Sequence, residues 1–392
     1  MASNWPTAKL GDVIDLFDSQ RVPLNSRQRE ERQGRFPYYG AQGIIDHIDD
    51  YIFDGRYILV AEDGENLNSK KLPLALFATG KFWVNNHAHI LRGKPNIADD
   101  TFLLACLNNS DIKPFVTGAA QPKLSQGNMR LIEIPLPPVP VQQRIAGILS
   151  AYDELIENSQ RRIKILETMA RALYREWFVN FRFLGHENHP RVASSLGDIP
   201  QGWEVKKLGD LIINNRRSTK PGTDLDERRY VPIDCLPPKS LALLEARPIE
   251  EAQSSLQLFE KGDILFGAMR PYFHKVAIAP FAGVTRTTCF VFKPAQPEWH
   301  AFGTMTAFDE ETVAYANAHS QGATIPYAVW DGSLSEMPIV LPSPEVLERF
   351  EALVAPMLSQ LAQSFFVLGN LRRTRDLLLP RLLSGQIALK DN

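Results

Sequence analysis

The sequence predicts an α+β fold that is a pseudo-two-fold tandem duplication. Two similar domains of mixed helix and strand are expected, together with two long helices that pair as an antiparallel coiled coil. Three observations predict this architecture. Short motifs recur in the same order in both halves of the 392-residue chain, and each half contains short aromatic or β-branched runs bounded by Gly and Pro. Each half then ends in a proline cluster followed by a long stretch with helical periodicity.

The duplication is visible in four collinear matches. The pattern Trp-x3-Lys-Leu-Gly-Asp-x-Ile begins at Trp5 and again at Trp203. Three further matches follow at nearly constant spacing: Ile58-Leu59-Val60 with Ile264-Leu265-Phe266, Gly118-Ala119-Ala120-Gln121-Pro122 with Gly322-Ala323-Thr324-Ile325-Pro326, and Leu136-Pro137-Pro138 with Leu341-Pro342-Ser343. A single match is within chance, whereas four in order indicate an internal repeat.

The strands and helices follow from local periodicity. The expected strands are 57–60, 81–84 and 87–91 in the first half, and 263–266, 275–279 and 289–292 in the second. The expected helices are 141–183 and 345–383, each directly after its proline cluster, where proline suits the start of a helix. Forty helical residues make a rod of about 60 Å. Its apolar stripe needs a partner, and the other copy of the helix supplies one.

The domain boundaries follow from these elements. We expect a first domain at 1–140, a first long helix at 141–183, a linker at 184–200, a second domain at 201–344, and a second long helix with a C-terminal tail at 345–392.

Composition excludes several classes of protein. Apolar residues make up 44% of the chain and charged residues 22%, and the formal net charge is −2. This excludes a polybasic protein that holds nucleic acid by bulk charge. Apolar runs fall short of the ~18 residues of a membrane span, so we expect no membrane partner. Three widely spaced cysteines, Cys106, Cys235 and Cys289, and an N-terminus without signal-peptide character predict a cytoplasmic location.

Two domains joined by a helical strut suit a target with two parts at fixed separation. Duplex DNA is one such target, since major-groove sites one turn apart are about 34 Å from centre to centre. A scaffold that binds two copies of a partner protein, without reading DNA, fits the same architecture. At this level the two interpretations remain open, and the missing helix-turn-helix pattern argues against a stand-alone transcription regulator.

Particular motifs carry a resemblance to a known family. They are Trp5 with Lys9-Leu10-Gly11-Asp12, Tyr38-Tyr39-Gly40-Ala41-Gln42-Gly43-Ile44, Gly118 to Ser125, and Pro135-Leu136-Pro137-Pro138 followed by Gln142-Gln143-Arg144-Ile145. With these motifs the chain resembles the specificity subunit of type I restriction–modification systems over essentially its full length. The second copy departs from the pattern, with Ser343 and Glu348 where the first has Pro138 and Gln143.

The resemblance implies a role in DNA recognition. Each target-recognition domain of that family reads one half of a bipartite double-stranded DNA sequence. The paired helices set the spacer and dock methyltransferase subunits, two of which are expected here. Restriction and translocase subunits join through the complex. S-adenosylmethionine, ATP and Mg are then expected on the partner subunits, with no cofactor in this chain.

The chain itself is predicted to be non-catalytic. An adenine methyltransferase needs an Asn/Asp-Pro-Pro-aromatic loop for the flipped base, and neither that motif nor a phosphate-binding P-loop occurs in the sequence. The triplets Asp111-Ile112-Lys113 and Glu204-Val205-Lys206 match only the end of a nuclease pattern and do not recur in the other half. His87 and His89 lack a third nearby ligand, so a hydrogen-bonded or DNA-facing pair is favoured over a metal site.

Candidate DNA contacts are basic and amide side chains in loops without interleaved acids. The stretch 27–35 alternates bases with acids and is equally well a solvated surface, and Gln121 and Lys123 are assigned to a joint between domain and helix. Tyr272 and Phe273 are expected to pack, so they are left out. The candidates are Lys70, Lys71, Lys81 and Asn86 in the first domain and Arg216, Arg217, Lys220, Arg270, Lys275 and Arg286 in the second.

Overall fold

A computed structural model describes residues 5–118, 120–222, 225 and 228–387 of the chain. Ala119, which belongs to the repeated loop after Gly118, therefore lies outside the described residues. The chain divides into two compact units, which we call unit 1 (1–154 with 372–392) and unit 2 (155–371). Residues 372–387 thus fold with the N-terminal domain, so the compact units differ from the contiguous domains expected from the sequence.

In the residues that the structure describes, unit 1 contains eight strands, five short helices and the start of a long one. They are β1 Thr7–Lys9, α1 Leu10–Val13, β2 Ile14–Leu16, α2 Ser26–Glu30, β3 Gln33–Gly40, β4 Gly43–Ile48, β5 Phe53–Ala61, α3 Asn66–Ser69, β6 Ala75–Val84, β7 Ala88–Gly93, α4 Asp100–Asn109, α5 Gln126–Arg130, β8 Glu133–Pro135 and α6 Val139–Tyr174.

One sheet organises unit 1. Its strand order is β2-β7-β5-β6-β3-β4, and all neighbours are antiparallel except β3 and β6, which are parallel. A separate antiparallel pair joins β1 to β8, with Ala8 opposite Ile134. Helices α1, α4 and α5 pack with the start of α6 and with Leu382 and Leu383 into one apolar core.

The described part of unit 2 contains twelve strands, three short helices and most of the two long ones. They are β9 Arg191–Ser194, β10 Gly197–Pro200, β11 Glu204–Lys207, α7 Leu208–Leu211, β12 Ile212–Asn214, β13 Ser218–Thr219, β14 Arg229–Tyr230, β15 Leu256–Phe259, β16 Ile264–Gly267, β17 Val276–Ile278, β18 Gly283–Arg286, β19 Cys289–Pro294, α8 His300–Phe308, α9 Glu310–Ala318, β20 Pro338–Leu341 and α10 Pro344–Leu383.

The strand order confirms the duplication. In unit 2 the main sheet runs β12-β19-β16-β17, which repeats the β2-β7-β5-β6 part of the unit 1 sheet. Strand β11 pairs with β20 as β1 pairs with β8, and the one-turn helices α1 and α7 follow the first strand of each pair. A second sheet, β13-β15-β18-β14, is added in unit 2. The six strands expected from the sequence all fall within observed strands, to within a residue or two at their ends.

The two long helices run antiparallel within unit 2. Arg162 Nη2 of α6 donates to Gln360 Oε1 of α10 at 2.8 Å, and farther along α6 the ring of Tyr174 lies 6.4 Å from that of Phe350. Rising numbers on one helix thus meet falling numbers on the other. The first helix ends earlier than expected, because a π-helical turn, Arg175–Val179, follows α6 and Phe181 then takes a positive φ of 55°.

The segment expected to be a linker is partly ordered as strands. Strands β9 and β10 form an antiparallel hairpin, with Ile199 opposite Val192. Ile199 is buried in the unit 2 core beside Trp203. Because these side chains are buried in the unit 2 core, the segment packs as part of unit 2. Its residue composition alone did not indicate this packing.

Helix α10 is long and apolar enough to cross a membrane by length and composition, with a mean hydropathy of 1.4 in its most apolar window. Core helices of soluble proteins pass the same test. Here 33% of that window is buried inside the protein, and Val354, Leu358 and Leu361 of α10 lie in the unit 2 core.

Candidate nucleic-acid interface

In unit 1 the chain leaves the central strand β5 through a braced turn. Asp63 forms a single β-bridge with Lys123, and the N–H of Gly64 donates to the carbonyl of Pro122 at 3.1 Å. Gly64 has a φ of 106°, a region that favours glycine. The one-turn helix α3 follows and ends at Lys70, itself left-handed with a φ of 48°. We call residues 62–74 the first connection.

In unit 2 the chain leaves the corresponding strand β16 along the same path. Met269 bridges Tyr327, and the N–H of Arg270 donates to the carbonyl of Pro326 at 2.8 Å. A 3-10 turn of three residues follows. It lies between Arg270 and His274, both left-handed with a φ of 51°. We call residues 268–275 the second connection.

The two connections are therefore equivalent positions of the repeat. The sequence predicted Lys70 and Lys71 in the first half, and Arg270 and Lys275 in the second, as separate candidates. The structure places both connections after the central strand, braced by the same repeated loop and closed by a left-handed residue. In the sequence, the match of Ile58 with Ile264 could have indicated that the two connections are equivalent. The connections that follow these residues share no sequence motif.

The repeated loop has a second role besides joining domain and helix. In unit 1 the backbone N–H groups of Thr117 and Lys123 each donate to the other's carbonyl, at 2.8 and 2.7 Å. A Cβ on Gly118 would lie 2.3 Å from the carbonyl oxygen of Gln121, and on Gly322 it would lie 2.6 Å from that of Ile325. Only glycine fits both places, and each loop braces the connection beside it.

The four first-domain candidates are distributed over two surfaces. Lys70 Nζ donates to the carbonyl of Ser110 at 2.9 Å, and Lys71 beside it is exposed. Asn86 is exposed in the turn between β6 and β7, next to the first connection. Lys81 lies apart from these residues in β6, with Nζ 4.5 Å from the ring centre of Tyr51.

His87 and His89 have different surroundings. His87 is half-exposed, and its Nδ1 lies 2.6 Å from Asp63 Oδ2, which links the β6–β7 turn to the first connection. His89 is 1% exposed, with Nδ1 2.6 Å from Asp18 Oδ2 and Nε2 2.8 Å from the carbonyl of Leu124. The hydrogen-bonded interpretation of these residues fits their geometry.

Asp18, Glu62 and His89 lie close enough together to ligate a metal ion, but two cations already neutralise the carboxylates. Arg21 Nη1 lies 2.9 Å from Glu62 Oε2 and Lys123 Nζ 3.2 Å from Glu62 Oε1. Burial acts to raise the pKa of Glu62, but the hydrogen bonds and charges of Arg21, His89 and Lys123 outweigh it and lower that pKa. The cluster is therefore a buried ionic network that fixes the base of the first connection.

Two arginines predicted to contact DNA are ion-paired within unit 2. Arg216 lies 2.7 Å from Asp331, and Arg217 lies 2.5 Å from Glu260, which also pairs with Arg228. The hydrogen bond from Arg217 is the main reason that the pKa of Glu260 is lowered, with burial opposing it. Lys220 is exposed. Sequence inspection found no acid near Arg217 because Glu260 is distant along the chain.

The remaining second-domain candidates differ in orientation. Arg270 lies within the second connection and is half-buried, and Arg286 is exposed at the end of β18. Lys275 turns inward, since its Nζ donates to the carbonyl of Ile233 at 2.9 Å. Tyr272 and Phe273 were expected to pack, yet they are 50% and 46% exposed; that expectation was wrong, because the left-handed residues on either side direct both rings outward.

The three cysteines are buried free thiols. Burial raises the pKa of all three, that of Cys289 to about 11. They are neutral packing residues near neutral pH and offer no reactive thiolate.

Comparison with known proteins gives a family match. Residues 2–168 match the family model described as "Type I restriction modification DNA specificity domain". A relative from Haemophilus influenzae, named as a type I restriction enzyme specificity subunit, is 37% identical over 37% of this chain and 37% of its own length. The type I restriction enzyme MjaIX specificity subunit of Methanocaldococcus jannaschii is 27% identical over 71% of this chain and 66% of its own length. The matched region thus spans less than two thirds of either relative.

Longer matches exist at lower identity. The type I restriction enzyme EcoDI specificity subunit of Escherichia coli is 22% identical over 90% of this chain and 82% of its own length. Among solved structures, the type I restriction-modification system S subunit from M. genitalium has a TM-score of 0.64 at 15% identity, and the match covers 99% of this chain and 97% of that one. This last similarity establishes a shared fold.

Proposed function

We propose, from the match of residues 2–168 to the family model of the type I restriction modification DNA specificity domain, that this chain is the DNA specificity subunit of a type I restriction–modification complex. Each unit reads one half of a bipartite duplex target through its connection. The long helices set the spacer between the halves and dock methyltransferase subunits.

One observation carries this proposal: the equivalence of the two connections. Each follows the central strand of its unit and is braced by a glycine-dependent loop. The first connection presents the exposed Lys70 and Lys71, whereas the second presents the half-buried Arg270 and the exposed rings of Tyr272 and Phe273. Their residues nevertheless differ almost completely. Two units that recognise different DNA half-sites need the same backbone position but different side chains, because side chains at base edges determine sequence preference.

The net charge of the chain supports a complex in which other subunits contribute much of the binding to the DNA phosphates. With a net charge of −2 and with Arg216 and Arg217 ion-paired internally, the chain alone has little surplus positive charge for the phosphate backbone. We propose that two methyltransferase subunits clamp the duplex and carry S-adenosylmethionine. Restriction and translocase subunits would join with ATP and Mg, and the complex would act in the cytoplasm. This chain would itself be non-catalytic.

The first test is modification-sensitive long-read sequencing of host DNA with the gene intact and with it deleted. We expect a methylated split motif, two short defined halves around a fixed unspecified gap, only when the gene is present. Identical methylation in both strains, in a host that expresses an active partner methyltransferase, would contradict the proposal. A scaffold that does not read DNA would then be favoured if the chain still co-purified with its partners.

A second test concerns the candidate side chains. In the reconstituted complex, Arg270→Ala is expected to weaken target binding about 10-fold, the loss typical of one Arg contact with DNA. Arg217→Ala should have a smaller effect, because its guanidinium already binds Glu260. Fluorescence anisotropy with the methylated motif and a scrambled duplex measures both. Arg191→Ala, an exposed arginine of β9 that lies over the ring of Phe181, outside the long helices and both connections, is the control. Unchanged target binding in both test variants would remove this surface from the proposal.

A further inference from the structure

Tyr272 and Phe273 form an exposed aromatic pair on the second connection. They are 50% and 46% exposed, and their ring centroids lie 4.7 Å apart at an angle of 52°. Adjacent large rings at a surface commonly mark a contact site. Each ring would gain about 1.5–3 kcal/mol from burial, so folding stability does not account for their exposure.

The turn that presents the pair is strained and firmly held. Arg270 and His274 on either side are non-glycine residues in the left-handed region, which costs on the order of 1–3 kcal/mol for each. The N–H of Arg270 is bound to Pro326, and buried His274 donates from Nε2 to the carbonyl of Phe308 at 2.8 Å. Burial lowers the pKa of His274, so it is held as a neutral donor. The surrounding fold thus imposes the outward orientation of the rings.

The architecture does not require exposed rings, because the first connection in unit 1 has no aromatic residue and its exposed large apolar residue is Leu72, at 55%. There Leu67 is fully buried. The Asn66 side chain accepts from the N–H of Leu72 at 2.8 Å and donates to its carbonyl at 2.9 Å. The outward rings are therefore a particular feature of the second connection.

We propose that Tyr272 and Phe273 act as an aromatic wedge that packs against an unstacked base step in the second half of the DNA target. This inference rests on the proposed function. Apolar side chains placed at a base step unstack it and kink the duplex, and the cost depends on which step is deformed. The second unit would then recognise its half-site in two ways, through contacts with base edges and through how easily one base step is deformed.

Neighbouring charges favour bases over phosphates as the contact. Helix α9, which begins with Glu310 and Glu311, packs against the turn. Lys239 is 3.9 Å from Glu310 and compensates one of these acids. Carboxylates on a helix that packs against the turn disfavour close approach of phosphates, whereas uncharged base faces carry no such penalty.

The experiment uses the full chain in complex with its methyltransferase partner and the duplex motif found by sequencing. Separate duplexes carry 2-aminopurine at each position of the second half-site. We expect increased fluorescence at one step with the unmodified chain. The double variant Tyr272→Leu with Phe273→Leu should abolish the increase and weaken target binding about 10-fold, since one base stacked on a ring contributes about 1–3 kcal/mol.

A matched variant separates ring stacking from packing or misfolding. Tyr272→Phe with Phe273→Tyr keeps both rings and should retain the signal and the affinity. Unchanged affinity in the leucine variant, or no fluorescence increase at any position while the complex still binds its motif selectively, would overturn the wedge and leave the proposed function intact. Loss of partner co-purification in the leucine variant with DNA binding preserved would also overturn it. If the complex selects no motif, the proposed function and the wedge both fail.

Discussion

Replacing Glu167 by alanine is expected to lower the stability of unit 2 by about 3 kcal/mol and its thermal midpoint by about 10 °C. Glu167 lies on α6 and is 4% exposed. Its Oε1 accepts from Ser240 Oγ at 2.6 Å and from the N–H groups of Leu241 and Ala242 at 2.8 and 3.2 Å. Truncation leaves the buried N–H of Leu241 without this acceptor, and the N–H of Ala242 keeps only a longer bond to Ser240 Oγ at 3.4 Å. An unsatisfied buried N–H costs about 1–3 kcal/mol.

The effect should reach the second connection. The segment at 240–242 is joined to β17, because the N–H of Ile278 donates to the carbonyl of Leu241 at 2.9 Å. Just before it, the N–H of Lys239 donates to the carbonyl of His274 at 2.8 Å. Loss of the carboxylate should therefore weaken recognition of the second half-site as well as stability.

Thermal denaturation and anisotropy with half-site-mutated duplexes measure the two effects. Glu167→Gln keeps an acceptor oxygen and should lose less than half as much stability. Glu157→Ala is the matched control, since Glu157 lies on the same helix with its side chain 67% exposed in a pair with Arg161, and surface pairs contribute little. A Glu167→Ala midpoint equal to that of the control would show that these hydrogen bonds do not hold the segment.

The second large effect is expected for Asp18→Ala in unit 1, again about 3 kcal/mol. Asp18 Oδ2 lies 2.6 Å from His89 Nδ1, and its Oδ1 accepts from the N–H of Ile90 at 2.8 Å. His89 also binds the carbonyl of Leu124, next to the loop that braces the first connection. Without the carboxylate, a buried imidazole and a buried N–H lose their partner, and Arg21 loses one of its two acidic neighbours.

We expect the melting transition of unit 1 to fall and recognition of the first half-site to weaken, with the second half-site less affected. Calorimetry and anisotropy with duplexes altered in one half at a time measure this. Asp18→Asn keeps an oxygen for Ile90 but removes the charge, so its loss should be intermediate. Asp15→Ala, an exposed residue on β2, is the control. Equal weakening of both half-sites would contradict separate reading by the two units.

Much of the fold was predictable because its signals lie in contiguous sequence. Apolar residues at helical spacing identified α6 and α10, and short β-type runs identified the central strands. The end of α6 was not predictable, because the π-helical turn and the left-handed Phe181 are stabilised by packing of Trp177 and Phe178 on Phe350. The assignment of the C-terminal end to unit 1 likewise depends on Leu382 and Leu383 entering a distant core.

The candidate interface was predictable in outline only. Residue type and loop position identified both connections. The charges of neighbouring residues in the sequence, however, did not indicate which basic side chains are ion-paired or turned inward in the structure. Arg217 has no acid near it in sequence and is nonetheless paired with Glu260, and Lys275 turns toward Ile233. Tyr272 and Phe273 were assigned to packing on their apolar character, although backbone conformation sets their direction.

The sequence by itself determined the duplication, the long helices and the family resemblance, because repeats, periodicity and motifs are properties of neighbouring residues. Tertiary structure alone decided that the two connections are equivalent, that buried Asp18 and Glu167 hold them, and that an aromatic pair faces outward on one of them. Asp18 and His89 are separated by 71 residues and Glu167 and Leu241 by 74. Contacts over such separations form only when the whole unit folds, so no local pattern records them.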